Sequence, residues 1–562
     1  MHRGRTTLVL LLGLAAASCT GESTTTTTAA TPSTDVPPST TTSTVGVAVL
    51  DPPRWIEIEG EDFVDTRSGE VFTPLGVNLL LKMGGGGGDL MFANYDPDWV
   101  DDQLSAVADL GFNTVRFFLD MCMRCTSETA GIRPDYLDDL TDLLTRLEAH
   151  GLVALPTSND VPDPGYSQRL PCCEPFGGYR NSLYLSREGH DIAAEYWTDL
   201  INGLAERGAP THHVLAWELA NEQFVLRDVP PVSLTAGTVT TGDGKTYDLA
   251  SDVEVEEMVV SNLRTFITTV GGAIRSADDG ALVTMGFFSS AEHDAGRVAA
   301  DNRWVVPDEI LQGSDLDFVD LHAYPGLGAT WDSLASAYGL DGEVVQPLLL
   351  GEFGAFQDAY PRPDEAAMAM AMFQAESCRW GFDGWLLWFW GADRDDEVVT
   401  GDAHDASVAR AISPSVRPDP CDVGILRSAN LALGRPVTAS AEENEEYGAI
   451  RVIDGSDATW WSAAAGPPQW LEIELDGPQT VGRVEILIGH VSPPGPQLHR
   501  VYVRGEAEAA PGRLVGEISA DAAQGEWLAV DVEDTAGVVA VRVETVGVDG
   551  WVILHEVKVL SR

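Results

Sequence analysis

The chain has 562 residues, with 87 acidic against 34 basic side chains, a formal net charge of −53, and only three lysines: Lys82, Lys245 and Lys558. That balance excludes nucleic acid and anionic lipid as partners, because both are bound through a basic footprint. It suits a salty habitat, where high ionic strength screens the self-repulsion.

At the N-terminus, Arg3 and Arg5 precede an apolar run over 8–17, and the small residues Ala16-Ala17-Ser18 lead to Cys19. Residues 1–18 therefore read as a secretory signal. The run is too short to span a bilayer as a mature helix. A cysteine at this place resembles the bacterial lipoprotein box. That resemblance implies that Cys19 is lipidated and that membrane contact is through this lipid alone. An ordinary signal peptide with an incidental cysteine is the alternative, and both predict export. Residues 19–47 are mostly Thr, Ser, Ala and Pro, with too little apolar surface to offset the entropy of ordering, and read as a linker. The remaining stretch of about 515 residues is expected to form two or three domains.

Six further cysteines, Cys122, Cys125, Cys172, Cys173, Cys378 and Cys421, are an even number in an exported chain and predict disulfides. Half a zinc site built from the first four is the alternative, but two adjacent cysteines make poor tetrahedral ligands. The natural scheme joins the first pair to the second, and Cys378 to Cys421.

Over 48–427, short apolar runs alternate with amphipathic stretches. Strands are predicted at 74–80, 113–118, 152–156, 214–220, 282–287, 318–321, 347–351 and 384–389, and helices at 99–110, 136–150, 189–207, 253–276 and 364–379. The strand runs are apolar on consecutive residues, as expected where both faces of a parallel sheet are buried. Eight such strands separated by helices predict a (β/α)₈ TIM barrel. An open doubly wound sheet is the rival, but no Gly-rich phosphate fingerprint follows the first strand; 84–88 is a plain glycine tract. From 428 to 562 the texture changes to many short β-like runs with turn residues, which predicts an all-β sandwich.

Barrel enzymes carry their chemistry at the C-terminal ends of the strands. The fourth strand leaves through Trp217-Glu218-Leu219-Ala220-Asn221-Glu222, and the seventh through Gly351-Glu352-Phe353-Gly354. Two carboxylates facing one another across a barrel mouth are what glycosidic cleavage needs, one as nucleophile and one as acid/base. Residues 55–395 resemble glycoside hydrolase family 5 and the wider clan whose catalytic glutamates end strands four and seven. The matching positions are Gly76-Val77-Asn78, Arg116 in Asn113-Thr114-Val115-Arg116, Asn221-Glu222, His322-Ala323-Tyr324, Glu352, and Trp388 in Leu387-Trp388-Phe389-Trp390.

The resemblance implies a retaining hydrolase of β-linked poly- or oligosaccharides, with β-mannan or β-glucan the first expectation. Glu352 would be the nucleophile and Glu222 the acid/base. Asn221 would bind the sugar 2-hydroxyl, Arg116 and Tyr324 would hold Glu352 ionised, His322 would steady the acid/base, and Trp388 would offer a face for a sugar ring. Blander readings stand beside these: Arg116 as a counter-ion for Glu218, His322 as a core histidine, and Trp388 and Trp390 as packing residues. No cofactor is expected for catalysis. Two departures put the subfamily in question: Gln223 stands where proline is usual, and Thr157-Ser158-Asn159-Asp160 ends strand three where many members have histidine. Long insertions at 157–187 and 223–252 are expected to reshape the cleft walls.

In the C-terminal part, the run from Asn430 to Ser440, Asp454-Gly455, Thr459-Trp460-Trp461-Ser462, Trp470-Leu471-Glu472-Ile473 and Glu556-Val557-Lys558-Val559 resemble the coagulation factor 5/8 type C (discoidin) domain. This implies glycan binding from loops at one end and, as in many such domains, a structural calcium ion. Trp460 and Trp461 read as core residues first and as sugar platforms second. Two further functions remain open at this stage: a transglycosylase using the same residues, and a cell-surface glycan binder that has lost activity.

Overall fold

The computed structural model describes residues 53–561 apart from 81–91, 93–94, 120–125, 127–130, 160, 163, 172–174, 291–295, 312, 326–329, 341–343, 356–359, 361–362, 391–406, 423–429, 445–446, 456–458 and 490–494. Cys19, the linker and the cysteines at 122, 125, 172 and 173 therefore lie outside the described residues, as does Asp160.

The barrel is built from β1 (Leu75–Leu79), β2 (Thr114–Phe118), β3 (Val153–Thr157), β4 (Trp217–Glu218), β5 (Val283–Thr284, continued as Gly286–Phe288), β6 (Val319–His322), β7 (Leu348–Phe353) and β8 (Phe382–Trp390). Every neighbouring pair is parallel, in the order 5-4-3-2-1-8-7-6-5. The ring closes because β5 pairs with β4 through its first segment and with β6 through its second, with Met285 between them. In β2, β3, β6 and β7 every residue is buried, which is why these segments are mainly apolar on consecutive residues.

Around the ring lie α1 (Pro97–Asp109), α2 (Pro134–Ala149), α3 (Arg187–Glu206), α4 (Asp252–Ala277), α5 (Pro307–Leu311), α6 (Trp331–Tyr338) and α7 (Pro363–Ser377). Their starts follow from local chemistry. Asp96 caps α1 by accepting from the Asp98 and Trp99 amides, with Pro97 opening the helix. Ser251 caps α4 in the same way. On α1, Val100, Gln103, Leu104 and Val107 recur at helical spacing and form its buried face.

Three short antiparallel strands, Ile56–Glu59, Asp62–Asp65 and Glu70–Val71, precede the barrel. Ile56 and Phe63 pack with Val153, Leu215, Phe318 and Leu349, near the starts of the barrel strands. This little sheet plugs the end opposite the strand exits, and it was not among the expected elements.

The C-terminal part is all-β, as expected: β9 (Val437–Ala439), β10 (Trp461–Ser462), β11 (Gln469–Ile488), β12 (Gly495–Gly505), β13 (Arg513–Ala522), β14 (Trp527–Gly547) and β15 (Ile553–Leu560). All its pairings are antiparallel. Strands β11 and β14 are long and shift register midway, around Glu474 to Arg483. The first half of β11 pairs with β9 and the second with β15. The two halves enclose one apolar core containing Trp461, Leu471, Ile486, Val501, Val541 and Val557.

Of the expected disulfides, Cys378–Cys421 is formed. It ties the end of α7 to a segment 43 residues further along the chain. Closing a loop of that length removes unfolded-state entropy worth about 2–4 kcal/mol. Cys378→Ser should therefore lower barrel stability by about that amount in denaturant titration, whereas an unchanged midpoint would show the crosslink to be energetically idle.

Candidate active site

Side chains alternate along a strand, so the inward positions near the strand exits form one layer. Registry stacks them: Asn78 lies beside Arg116, Thr157 beside Glu218, Thr284 beside Glu218, and His322 beside Glu352. The layer is polar although it is wholly buried. Asn78, Arg116, Glu218, Asp320, His322 and Glu352 are all at most 3% exposed.

Arg116 organises the layer. Its Nε and Nη2 donate to the two oxygens of Glu218, each at 2.8 Å. Its Nη1 donates to Asn78 and to Glu352, both at 2.6 Å, and Nη2 also donates to Asn221 at 2.7 Å. The two readings of Arg116, as counter-ion for Glu218 and as partner of Glu352, are thus both met by one guanidinium. Thr157 adds a hydroxyl to Glu218 at 2.6 Å, and Asn78 anchors itself to the Gly351 carbonyl at 2.8 Å.

Glu352 takes its second oxygen to the Tyr324 hydroxyl at 2.6 Å. His322 Nδ1 lies 3.4 Å from Glu352 and 3.3 Å from Glu222. One oxygen each of Glu222 and Glu352 and a ring nitrogen of His322 all fall within 4.8 Å of one another. Glu222 sits beyond the end of β4 with φ of +20°, a conformation uncommon outside glycine. Its side chain is 33% exposed against 4% for Glu352, so it faces the cleft while Glu352 sits deeper.

Burial raises the pKa of Glu352, and the repulsion of Glu222 adds to that. His322, Arg116 and the Tyr324 hydroxyl work to bring it back down. Burial also acts to raise Glu222, but the hydrogen bond and charge of His322 outweigh it and leave that carboxyl below its ordinary value. Burial opposes charge on His322, yet Glu352, Asp320 and Glu222 together raise it to about 10.

Aromatic side chains lie close to this cluster, with the Phe118 ring 5.3 Å from the Arg116 guanidinium. Trp388 is half-buried, with its ring edge-on to Phe118 at 6.1 Å. Trp390 is buried and donates to Gln103 of α1, so it belongs to the barrel–helix packing. Beside Glu222, Phe224 lies edge-on to Phe288, and Arg180 and Arg303 cover these two rings at 4.1 and 4.7 Å. The short strands Val225–Leu226 and Arg303–Trp304 pair antiparallel next to these rings. Gln223, in the usual place of proline, is fully buried.

Two groups of metal-type ligands come close among the described residues, Glu218 with Asp320 and His322, and Glu222 with His322 and Glu352. Neither suits an ion. Both oxygens of Glu218 are held by Arg116, and those of Glu352 are held by Arg116 and Tyr324. No such group lies in the sandwich among the described residues. In the sandwich Trp461 is buried and donates to the Ala441 carbonyl, a core role as expected. Trp460 stacks on Tyr447 at 5.0 Å, with His555 at its edge.

No protein-family model matches the chain, and no curated protein does. Among solved structures it is similar to an exo-β-1,4-mannosidase from Opitutaceae bacterium strain TAV5, at 19% identity over 64% of this chain and 61% of that one, with a TM-score of 0.44. It is also similar to a β-mannanase from the blue mussel Mytilus edulis, at 15% identity over 66% of this chain and 99% of that one, TM-score 0.42. A chitosan-binding module of a chitosanase/glucanase from Paenibacillus sp. IK-5 matches 24% of this chain and 98% of its own length at 29% identity, TM-score 0.20. All three scores lie below 0.5.

Of the site residues expected from sequence, Arg116, Asn221, Glu222, His322, Tyr324 and Glu352 converge, and Trp388 stands at the rim beside Phe118. Asp320 and Thr157 complete the layer and were not singled out. Stripping the guanidinium would strand buried carboxylates, so Arg116→Met should cost about 3–5 kcal/mol in an unfolding titration. Adding Glu218→Gln to that variant should restore part of the loss; no restoration would mean that stranded charge is not the source.

Proposed function

We propose that the chain is a retaining β-glycosidase acting on β-linked poly- or oligosaccharide of the mannan or glucan type, with Glu352 as nucleophile and Glu222 as acid/base. One observation carries the reading: the two carboxyl groups meet at the barrel mouth with oxygens within 4.8 Å of one another. A retaining enzyme needs its carboxyls about 5–5.5 Å apart, whereas an inverting enzyme leaves about 6.5–9.5 Å for a water.

The two groups repel as anions, and as a pair they share a proton. A glycosidic oxygen seated against Glu222 can only accept a hydrogen bond. It therefore favours the proton on Glu222 and leaves Glu352 as the nucleophilic anion. Glu352 attacks the anomeric carbon, and Glu222 gives its proton to the departing oxygen. Esterification removes the charge on Glu352, which suits Glu222 to take a proton from the incoming water in the second step. Asn221, whose Oδ1 accepts from Arg116, would bind the sugar beside the bond that breaks. Trp388 offers its half-exposed ring. Export through the N-terminal signal, anchoring at Cys19 and a glycan-binding sandwich complete the proposal, on the sequence features given above.

Turnover should appear on at least one of β-mannan, β-glucan, xylan or aryl β-glycosides and vanish in Glu352→Ala. Glu222→Gln should slow unactivated substrates by about 10²–10⁴-fold and aryl glycosides with good leaving groups far less. A folded protein inert on the whole panel would overturn the reading. Tyr324→Phe removes a hydrogen bond that favours ionised Glu352, so the pKa of Glu352 rises. The acid limb of kcat/KM against pH should move up by about one unit or more. An unmoved limb would show that Tyr324 does not tune the nucleophile.

A further inference from the structure

Asp320 is the one buried carboxylate of the layer whose purpose the mechanism does not explain. It lies on β6 two residues before His322, so both side chains point into the barrel. It is fully buried, and neither of its oxygens has a hydrogen-bond partner. A carboxylate in that position is costly unless a donor reaches it.

Arg116 is 3.7 Å away but has nothing left to give. A guanidinium carries five N–H groups. Arg116 makes five hydrogen bonds, two to Glu218 and one each to Asn78, Asn221 and Glu352. The other neighbour is His322, whose Nε2 faces Asp320 Oδ1 at 3.8 Å and likewise has no hydrogen-bond partner. A small side-chain rotation brings this donor and acceptor together.

The neighbouring strands are bare at this level. A Cβ on Gly351 would fall 2.0 Å from Asp320 Oδ1, and one on Gly286 would fall 3.2 Å from His322 Nε2. Any larger residue on either strand would displace the pair.

We propose that Asp320 is a positioning residue: it holds His322 as an imidazolium through Nε2 and so aims a charged Nδ1–H at Glu222 and Glu352. The proposal rests on the glycosidase reading for its consequence, though not for its geometry. Both ring nitrogens face carboxylate oxygens, Nδ1 at 3.3 and 3.4 Å and Nε2 at 3.8 Å. A neutral ring has one N–H and would turn a lone pair on one of these anions, whereas the doubly protonated ring satisfies both sides. The other charged or titratable groups around the ring are Arg116 and Glu218 below it, Tyr324 beside Glu352, and Tyr338 of α6, which donates to the His322 carbonyl. Of these only Arg116 opposes the charge, and its own is spread over Glu218 and Glu352. The raised proton affinity of His322 agrees.

The test is NMR of the full chain labelled with ¹³C at histidine Cε1, with the His322 signal assigned by its loss in His322→Gln. In the wild type the signal should remain that of an imidazolium from about pH 6 to pH 8, where an unperturbed ring would titrate. In Asp320→Asn it should titrate at least about one unit lower, and kcat should fall about tenfold with KM little changed. A wild-type His322 that titrates near the ordinary histidine value would overturn the proposal by itself, even if the variant failed to fold. An identical titration in wild type and Asp320→Asn would also overturn it. Should the protein prove inert on every glycan, the titration result would still stand, so failure of the glycosidase reading is distinguishable.

Discussion

One guanidinium holds the site together. Arg116 has no exposed surface, and its five donors reach strands β1, β4 and β7 and the Asn221 turn. Placing such an ion in a barrel core is affordable only with every N–H matched to an acceptor, and every one is. The matching fixes the relative height of β1, β2, β4 and β7, since Asn78, Glu218 and Glu352 must all come level with the same planar group. The catalytic geometry and the register of the barrel are in this sense one constraint.

The layer has a surplus of acid. Glu218, Glu222, Asp320 and Glu352 surround Arg116 and His322. With both cations charged, two negative charges remain uncompensated unless protons are shared. An acid/base pair needs that condition: a proton close to balance between two carboxyls can be moved by a bound substrate or an ester bond. Burial raises Glu352 while His322 lowers Glu222, so without sugar a shared proton favours Glu352, and a bound glycosidic oxygen has to draw it to Glu222.

Much of this was legible in the sequence, because barrel physics leaves marks there. A carboxylate after three leucines and a glycine, as at Glu352, or after Trp217-Glu218-Leu219-Ala220-Asn221, as at Glu222, has no structural excuse at a strand exit. The eight strands were legible because most of their residues are apolar on consecutive positions, with both faces buried. Asp320 escaped because, of the two polar residues in Phe318-Val319-Asp320-Leu321-His322, only His322 at the strand exit matched the resemblance. Stepping inward by two from His322 would have found it. The plug of three short strands escaped because Glu57, Glu59 and Glu70 mask its few apolar positions. The sharing of Arg116 between Glu218 and Glu352 is a three-dimensional fact, and alternation along one strand only hinted at it.

The central claim is that Glu222 and Glu352 act as a retaining pair. The most direct measurement is the anomeric configuration of the first sugar released from a β-linked substrate, followed by proton NMR before mutarotation. The account predicts the β-anomer first, converting later to the equilibrium mixture. Release of the α-anomer first would contradict it, because a single displacement would then be at work and Glu352 could not be the nucleophile.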